Sequence, residues 1–271
     1  MSKTWFITGA GRGFGAEFAK NALDRGDRVA ATARDTSALS DLVGEYGDAV
    51  VPLQLDVTDR SAVFAAVQRA AEELGHLDVV VNNAGYGLFG AVEEITEQQL
   101  RDQIEVNLFG VFHVTQAVLP LLREQGHGHI IQISTIGGIG AFPNLGGYHA
   151  SKWALEGLTE SLAQEVAGFG IDVTLIEPGS YGTDWAGSSA VHADPQPQYD
   201  GLRQAMARGQ GGMQIGDPAA AGRAILKIVD ADQPPLRVLF GTMPTQLVPH
   251  LYQQRLDTWK QWEELSVAAN G

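Results

Sequence analysis

Tyr148 and Lys152 stand four residues apart in Tyr148-His149-Ala150-Ser151-Lys152, and Ser134 closes an apolar run shortly before them. Residues at i and i+4 of a helix share a face, about 5–6 Å apart at Cβ, so the Lys152 ammonium comes within reach of the Tyr148 phenol. A free tyrosine titrates near 10 and is a poor base at neutral pH, while a nearby cation favours the phenolate. Moving that phenol down by about three units takes about 4 kcal/mol of differential stabilisation. The expectation is a tyrosine whose pKa the lysine lowers, able to act as a general acid or base.

Such a group needs a frame. Thr4-Trp5-Phe6-Ile7-Thr8 reads as a buried strand that runs into Gly9-Ala10-Gly11-Arg12-Gly13-Phe14-Gly15. Helical character over 16–24 and a second apolar strand over 28–33 follow. Strand, glycine-rich turn, helix, strand is the context in which glycines let the backbone approach a pyrophosphate, seated on free N–H groups of a helix N-terminus. Further on, helical and strand patterns alternate. Helices are expected over 37–46, 61–74, 97–122 and 148–169, and strands over 50–54, 77–82, 129–134, 172–176 and 237–240. That alternation predicts an α/β fold, a doubly wound parallel sheet with helices on both faces and right-handed crossovers. Ligands bind beyond the carboxyl ends of such strands. Gly9–Gly15, Asp56, Asn82–Gly85, Ser134 and Pro178–Gly179 all fall there.

Composition is that of a globular chain: 271 residues, 44% apolar and 18% charged, enough for a large core. No linker or composition break divides it, so one domain over 1–271 is expected. A net charge of −14 disfavours nucleic acid and anionic membranes as partners. The absence of cysteine excludes disulfides and thiolate chemistry and leaves the redox compartment open. A first strand so near Met1 leaves no room for a signal peptide, and the apolar runs fall short of the roughly 20 residues that span a bilayer. A cytoplasmic location is the expectation. His113, His127, His129 and His149 lack the spacing of a metal-ligand set, so no metal site is expected.

Taken together, these motifs resemble the short-chain dehydrogenase/reductase family, in the branch that carries T-G-x-x-x-G-x-G and Y-x-x-x-K. Thr8, Gly9, Gly13 and Gly15 match the first motif, and Asn82-Asn83-Ala84-Gly85 matches the family's N-N-A-G. Asn107 matches its catalytic asparagine. Ser134, Tyr148 and Lys152 fill the remaining catalytic places, and Pro178-Gly179 matches the turn beneath the nicotinamide. The likeness is strong over about 4–183. It implies that Tyr148 exchanges a proton with a carbonyl or alcohol oxygen, that Ser134 orients that oxygen, and that Lys152 binds the nicotinamide ribose. Asn107 would support a proton relay through Lys152. The implied cofactor contacts are Gly9, Arg12, Gly13, Phe14, Gly15, Arg34, Asp56, Val57, Asn83, Ala84, Gly85, Tyr148, Lys152, Pro178, Gly179 and Thr183.

Cofactor choice turns on two arginines. The family's acidic position after the second strand maps to Ala33, followed by Arg34, and Arg12 lies in the glycine turn. Guanidinium suits a 2′-phosphate and carboxylate suits a 2′-hydroxyl, so NADP(H) is preferred and NAD(H) stays possible. Asp35 argues the other way if the register shifts by one. A Gly-, Ser-, Pro- and Gln-rich stretch over about 180–216 reads as a mobile substrate lid. Ile136, Phe142, Tyr181 and Trp185 suggest an apolar wall for a bulky ketone or secondary alcohol. By overall look, including an extended C-terminal helix over 249–266, the chain is similar to hydroxysteroid and retinol dehydrogenase-like members; the long helices over 97–122 and 148–169 commonly build family homo-oligomers, dimers or tetramers. The competing readings are a non-catalytic NADP(H)-binding sensor and a non-redox lyase or dehalogenase using the same hydroxyls.

Overall fold

Residues 2–209 and 214–271 are described by a computed structural model. The chain runs β1 (Thr4–Ile7), α1 (Gly13–Asp24), β2 (Arg28–Ala33), α2 (Ser40–Tyr46), β3 (Val50–Gln54), α3 (Arg60–Leu74), β4 (Val79–Asn82) and β5 (Leu88–Phe89). There follow α4 (Glu97–Ile104), a π-helical turn (Glu105–Phe109), α5 (Gly110–Gln125), β6 (Gly128–Ile133), α6 (Gly146–Val166) and β7 (Ile171–Pro178). β8 (Val191–His192), α7 (Asp200–Gly209), α8 (Pro218–Val229), β9 (Arg237–Phe240), α9 (Thr242–Gln261) and α10 (Glu263–Ala268) complete it. Seven strands form a wholly parallel sheet in the order β3-β2-β1-β4-β6-β7-β9. The chain winds outward from β1 to β3, then returns to place β4 on the other side of β1. That reversal opens a crevice at the carboxyl ends of β1 and β4.

The strands are apolar throughout because both faces are covered. Trp5 and Ile7 pack into one core with Phe18, Ala19 and Ala22 of α1 and Ile225 and Ile228 of α8. Phe6, one residue out of phase, faces the other core with Val63 and Val67 of α3, Val114 and Val118 of α5 and Leu162 of α6. Each such fully buried side chain contributes about 1.5–3 kcal/mol, so a one-residue slip of β1 would exchange both layers at once. The Glu97–Gln125 segment is long and apolar enough to cross a membrane by length and composition, longer in that respect than the sequence suggested. Here it packs against the sheet.

Three departures from the sequence reading bear on function. The helix expected over 97–122 is broken by the π turn at Glu105–Phe109. The helix expected to begin at Pro249 begins at Thr242 and carries Pro249 inside it. The stretch expected as a lid has fixed contacts with the rest of the chain. β8 pairs with β5 in a second, two-stranded sheet, and Arg203 of α7 pairs with the buried Glu94 at 2.6 Å. The Gln196 N–H donates to the same carboxylate at 2.7 Å. A segment poor in apolar anchors is thus held by polar ones. Residues 210–213 of the expected lid lie outside the described residues.

Candidate active site

The glycine turn is fixed from behind. Asn83 Nδ2 donates to Thr8 O at 2.9 Å and Gly9 O at 3.0 Å, and the Thr8 hydroxyl accepts from the N–H groups of Asn83 and Ala84 at 2.9 and 3.0 Å. A Cβ on Gly15 would lie 2.3 Å from Gly9 O, and Gly13 has φ +56°; neither position admits a side chain without rearrangement. Arg12 stands at the N-cap of α1 and offers no side-chain cap, so the first N–H groups of that helix are open to an anion. A pyrophosphate fits this cradle. Phe14 turns its ring away from the cradle, stacking on Phe18 at 5.5 Å and meeting Tyr181 edge-on at 4.9 Å.

At the end of β6 the chain presents two neighbouring hydroxyls, and they diverge. Ser134, 3% exposed, donates to Glu156 Oε1 on α6 at 2.5 Å. The Thr135 hydroxyl instead reaches Tyr148, where it eases the phenol's pKa downward, and it donates to Pro178 O at 3.4 Å. Ser134, expected at the tyrosine's side, is thus engaged by Glu156, and Thr135 is the hydroxyl that acts on the phenol. The physical reason is alternation: consecutive residues of an extended chain point to opposite sides, so only one of an adjacent hydroxyl pair faces the crevice. Neither composition nor spacing told the two apart, whereas extending the strand's parity beyond Ile133 would have.

Tyr148 is buried beneath Trp185, ring centroids 4.9 Å apart. Its phenol is pushed well above the ordinary tyrosine range by burial, the reverse of the lysine-lowered value expected. Lys152 Nζ lies 6.0 Å from the tyrosine ring centroid and donates to Ile133 O at 2.7 Å. A full charge at that range is worth only about 3 kcal/mol at an effective dielectric of about 20. Burial also pushes Lys152 itself down to about 8, with the Glu156 carboxylate opposing that shift. Desolvation of the phenol wins.

Asn107 is fully buried in the π turn. Its amide accepts from Tyr86 N at 3.2 Å, donates to Tyr86 O at 3.1 Å, and donates to the Ser151 hydroxyl at 3.1 Å. It thus links the strand following Gly85 to the helix of Tyr148 and Lys152. π turns recur at functional sites because they displace one backbone step from the α pattern.

The remaining expected contacts ring the crevice. Thr183 packs within 3.6 Å of the space a Gly13 side chain would take, and Gly179 N donates to Phe240 O at 3.0 Å. Asp56 accepts from the Thr58 N–H and hydroxyl at 3.0 and 2.7 Å, and Val57 is buried against Gly110. Arg12 pairs with Asp184 at 3.1 Å, tying the glycine turn to the lid. Arg34 is exposed beyond β2, and the Asp35 carboxylate accepts from Ser37 N at 2.9 Å. Among the apolar-wall residues, Trp185 covers the tyrosine, Ile136 is buried, Phe142 packs on His149, and Tyr181 lies apart against Phe14. Phe89 and His192 were missed; Phe89 stands 5.2 Å from Trp185 and 5.0 Å from His192, on the β5–β8 pair. A two-residue parallel pairing leaves no periodic signal in a sequence.

The family described as short chain dehydrogenase matches residues 3–193. A curated relative, "Oxidoreductase BOA17" of Botryotinia fuckeliana, is 42% identical over 99% of this chain and all of its own length. The crystal structure of a short-chain dehydrogenase from Streptomyces avermitilis is 38% identical, with a TM-score of 0.92 over 99% of this chain and 98% of that one. Two similar structures hold nicotinamide cofactors. One is a 3-ketoacyl-(acyl-carrier-protein) reductase of Brucella melitensis with NADH: 27% identity and TM-score 0.75, over 88% of this chain and 97% of that one. The other is an alcohol dehydrogenase of the archaeon Thermococcus sibiricus with 5-hydroxy-NADP: 28% and 0.73, over 89% and 96%.

Proposed function

Because the chain belongs to the short-chain dehydrogenase family and is an oxidoreductase that takes a nicotinamide cofactor, we propose that it reduces a bulky apolar ketone, or oxidises the matching secondary alcohol, with NADP(H). The observation that carries this reading is the buried tyrosine between Thr135 and Trp185, at the same edge of the parallel sheet as the glycine turn. The nicotinamide supplies or accepts the hydride. The chain's own groups do the rest.

Tyr148 is held protonated by its burial, the state from which it donates a proton to a carbonyl oxygen as that oxygen gains charge. The Thr135 hydroxyl beside it orients the same oxygen and offers a second donor where negative charge develops. Lys152, charged and anchored to Ile133 O, would hold the nicotinamide ribose and stabilise the tyrosinate left behind. Asn107 fixes Ser151 and, through it, the turn of α6 between Tyr148 and Lys152. Trp185, Phe89 and His192 form an aromatic wall that excludes water and favours an apolar substrate face.

Preference for NADP(H) is supported by Ala33 where an acidic residue would bind a 2′-hydroxyl, and by the exposed Arg34 beside it. The Asp35 carboxylate, engaged with Ser37 N, is spent on its own turn. We further propose a cytoplasmic homo-oligomer, dimer or tetramer, acting on a small-molecule carbonyl or alcohol, without nucleic acid or membrane as partner.

The test is oxidation of NADPH and NADH against a panel of aryl and alicyclic ketones, with Tyr148→Phe as control. Turnover that falls at least a hundredfold in the variant supports the reading. Undiminished turnover in the variant refutes the proton-donor role, and tight nucleotide binding without turnover would favour the sensor alternative.

A further inference from the structure

We propose that Glu156 is a positioning residue for Lys152: its carboxylate, clamped by the Ser134 hydroxyl and Arg237, keeps the lysine charged inside the closed site. This rests on the oxidoreductase reading above only for its consequence in turnover.

Tyr148, Lys152, Glu156 and Glu160 recur every four residues along α6. A step of four advances about 400° on a helix of 3.6 residues per turn, so this stripe winds slowly from the crevice toward the surface. Glu156 is buried and held at both oxygens. Oε1 accepts from Ser134 at 2.5 Å and Oε2 from Arg237 Nε at 3.1 Å. The other arm of Arg237 reaches Glu160 Oε2 at 2.8 Å, on the half-exposed edge. Glu177 of β7, 1% exposed, brings Oε1 to 3.5 Å from Arg237 Nε, and that oxygen has no hydrogen-bond partner among the described residues.

Two buried carboxyls at one guanidinium do not both ionise readily. Burial first, and then the charge of Glu156, push Glu177 up to about 8. Burial pushes Glu156 up as well, against the downward pull of Ser134, Arg237 and Lys152; with both its oxygens hydrogen-bonded, it is the carboxyl of the two that keeps the charge while Glu177 takes the proton. Lys152 Nζ meets neutral groups, Ile133 O of β6 at 2.7 Å and the Tyr148 ring at 6.0 Å. On α6 itself, Tyr148 is protonated, and His149 is pushed down to about 4 by burial and is uncharged at pH 7. Glu156 is the charge that opposes desolvation of the lysine. An isolated ammonium in such a site sheds its proton; a carboxylate one helical turn away retains it.

Glu156→Gln keeps the shape and an acceptor for Ser134 while removing the charge. The sign follows: without the carboxylate, Lys152 deprotonates at lower pH, so the alkaline limb of kcat/KM should move down by about one pH unit. Arg237→Gln, which frees Glu156 to protonate, should move the same limb in the same direction, and Glu156→Asp should restore it in part. The second readout needs no substrate. Lysine Cε resonances of the 13C-labelled protein, which has five lysines, are assigned for Lys152 by its loss in Lys152→Met, and their midpoint is compared in wild type and Glu156→Gln. A lowered midpoint is expected. An unchanged midpoint in the folded variant overturns the proposal, whatever kcat does. A lowered midpoint in a protein that reduces no carbonyl keeps Glu156 in this role and discards the oxidoreductase chemistry instead.

Discussion

The ring of Trp185 lies over that of Tyr148, centroids 4.9 Å apart and planes inclined at 56°. The residue that seals the phenol thus belongs to the stretch between β7 and β8, and Gly87 makes room for it: a Cβ there would stand 2.6 Å from the indole. Trp185→Ala should let water onto the phenol. Its pKa, raised by burial, then falls toward the ordinary value near 10, and the protonated donor is lost at lower pH than in the wild type. We expect the phenol's own titration to move down toward about 10, together with a rise in KM for apolar ketones of about tenfold, worth about 1.4 kcal/mol. Ultraviolet difference absorbance across pH and initial rates with one large and one small ketone measure the two.

The two hydroxyls at the end of β6 should separate cleanly. Thr135→Ala removes the donor beside Tyr148 and should lower kcat by about a hundredfold or more, while Thr135→Ser retains most of it. Ser134→Ala touches only the Glu156 clamp, and kcat near neutral pH should fall less than tenfold. Equal losses in the two alanine variants would undo the assignment of roles.

Cofactor choice has its own readout. Arg34→Ala should raise KM for NADPH by about tenfold or more and leave that for NADH within about twofold. Equal effects on both nucleotides would remove the 2′-phosphate argument.

The lid is held through Glu94, whose carboxyl is drawn down to about 2, chiefly by the Gln196 N–H, with Ala91 N–H and Arg203 adding to it. A depressed carboxylate stabilises the fold fully above its unfolded value, near 4.5, and loses that contribution as pH falls through the folded one. Acidification from about pH 4.5 toward 2 should therefore loosen the β5–β8 pair before the main sheet melts. Trp185 fluorescence, in a variant with the other tryptophans replaced by phenylalanine, should change ahead of far-ultraviolet dichroism. In Glu94→Gln that early acid step should vanish.

The parts of this molecule that repeat were legible in its residues. Trp5-Phe6-Ile7 and Val79-Val80-Val81 announce strands buried on both faces, and the glycines between Ile7 and Ala16 announce a turn against a helix N-terminus. Arg237–Phe240 was bounded correctly because a short apolar run between polar neighbours leaves little choice. The legibility ends where one residue of offset decides. Ser134 and Thr135 are chemically alike, and only the parity of the chain beyond Ile133 sorts them. The raised phenol of Tyr148 needed the position of Trp185, which depends on Trp185 and His192 meeting Phe89 from two distant stretches. The ion pair of Glu94 and Arg203 spans more than a hundred residues and leaves no local trace.

The π turn at Glu105–Phe109 carries a consequence for how this chain tolerates change. A π turn is an α-helix with one residue inserted, so Asn107 faces Tyr86 by virtue of counting, not of polarity. Deleting Leu108 or Phe109 would rotate that amide by about 100° about the axis while leaving the apolar stripe of α5 seated on the sheet. Such a molecule would fold, and its catalytic helix would have lost its tether.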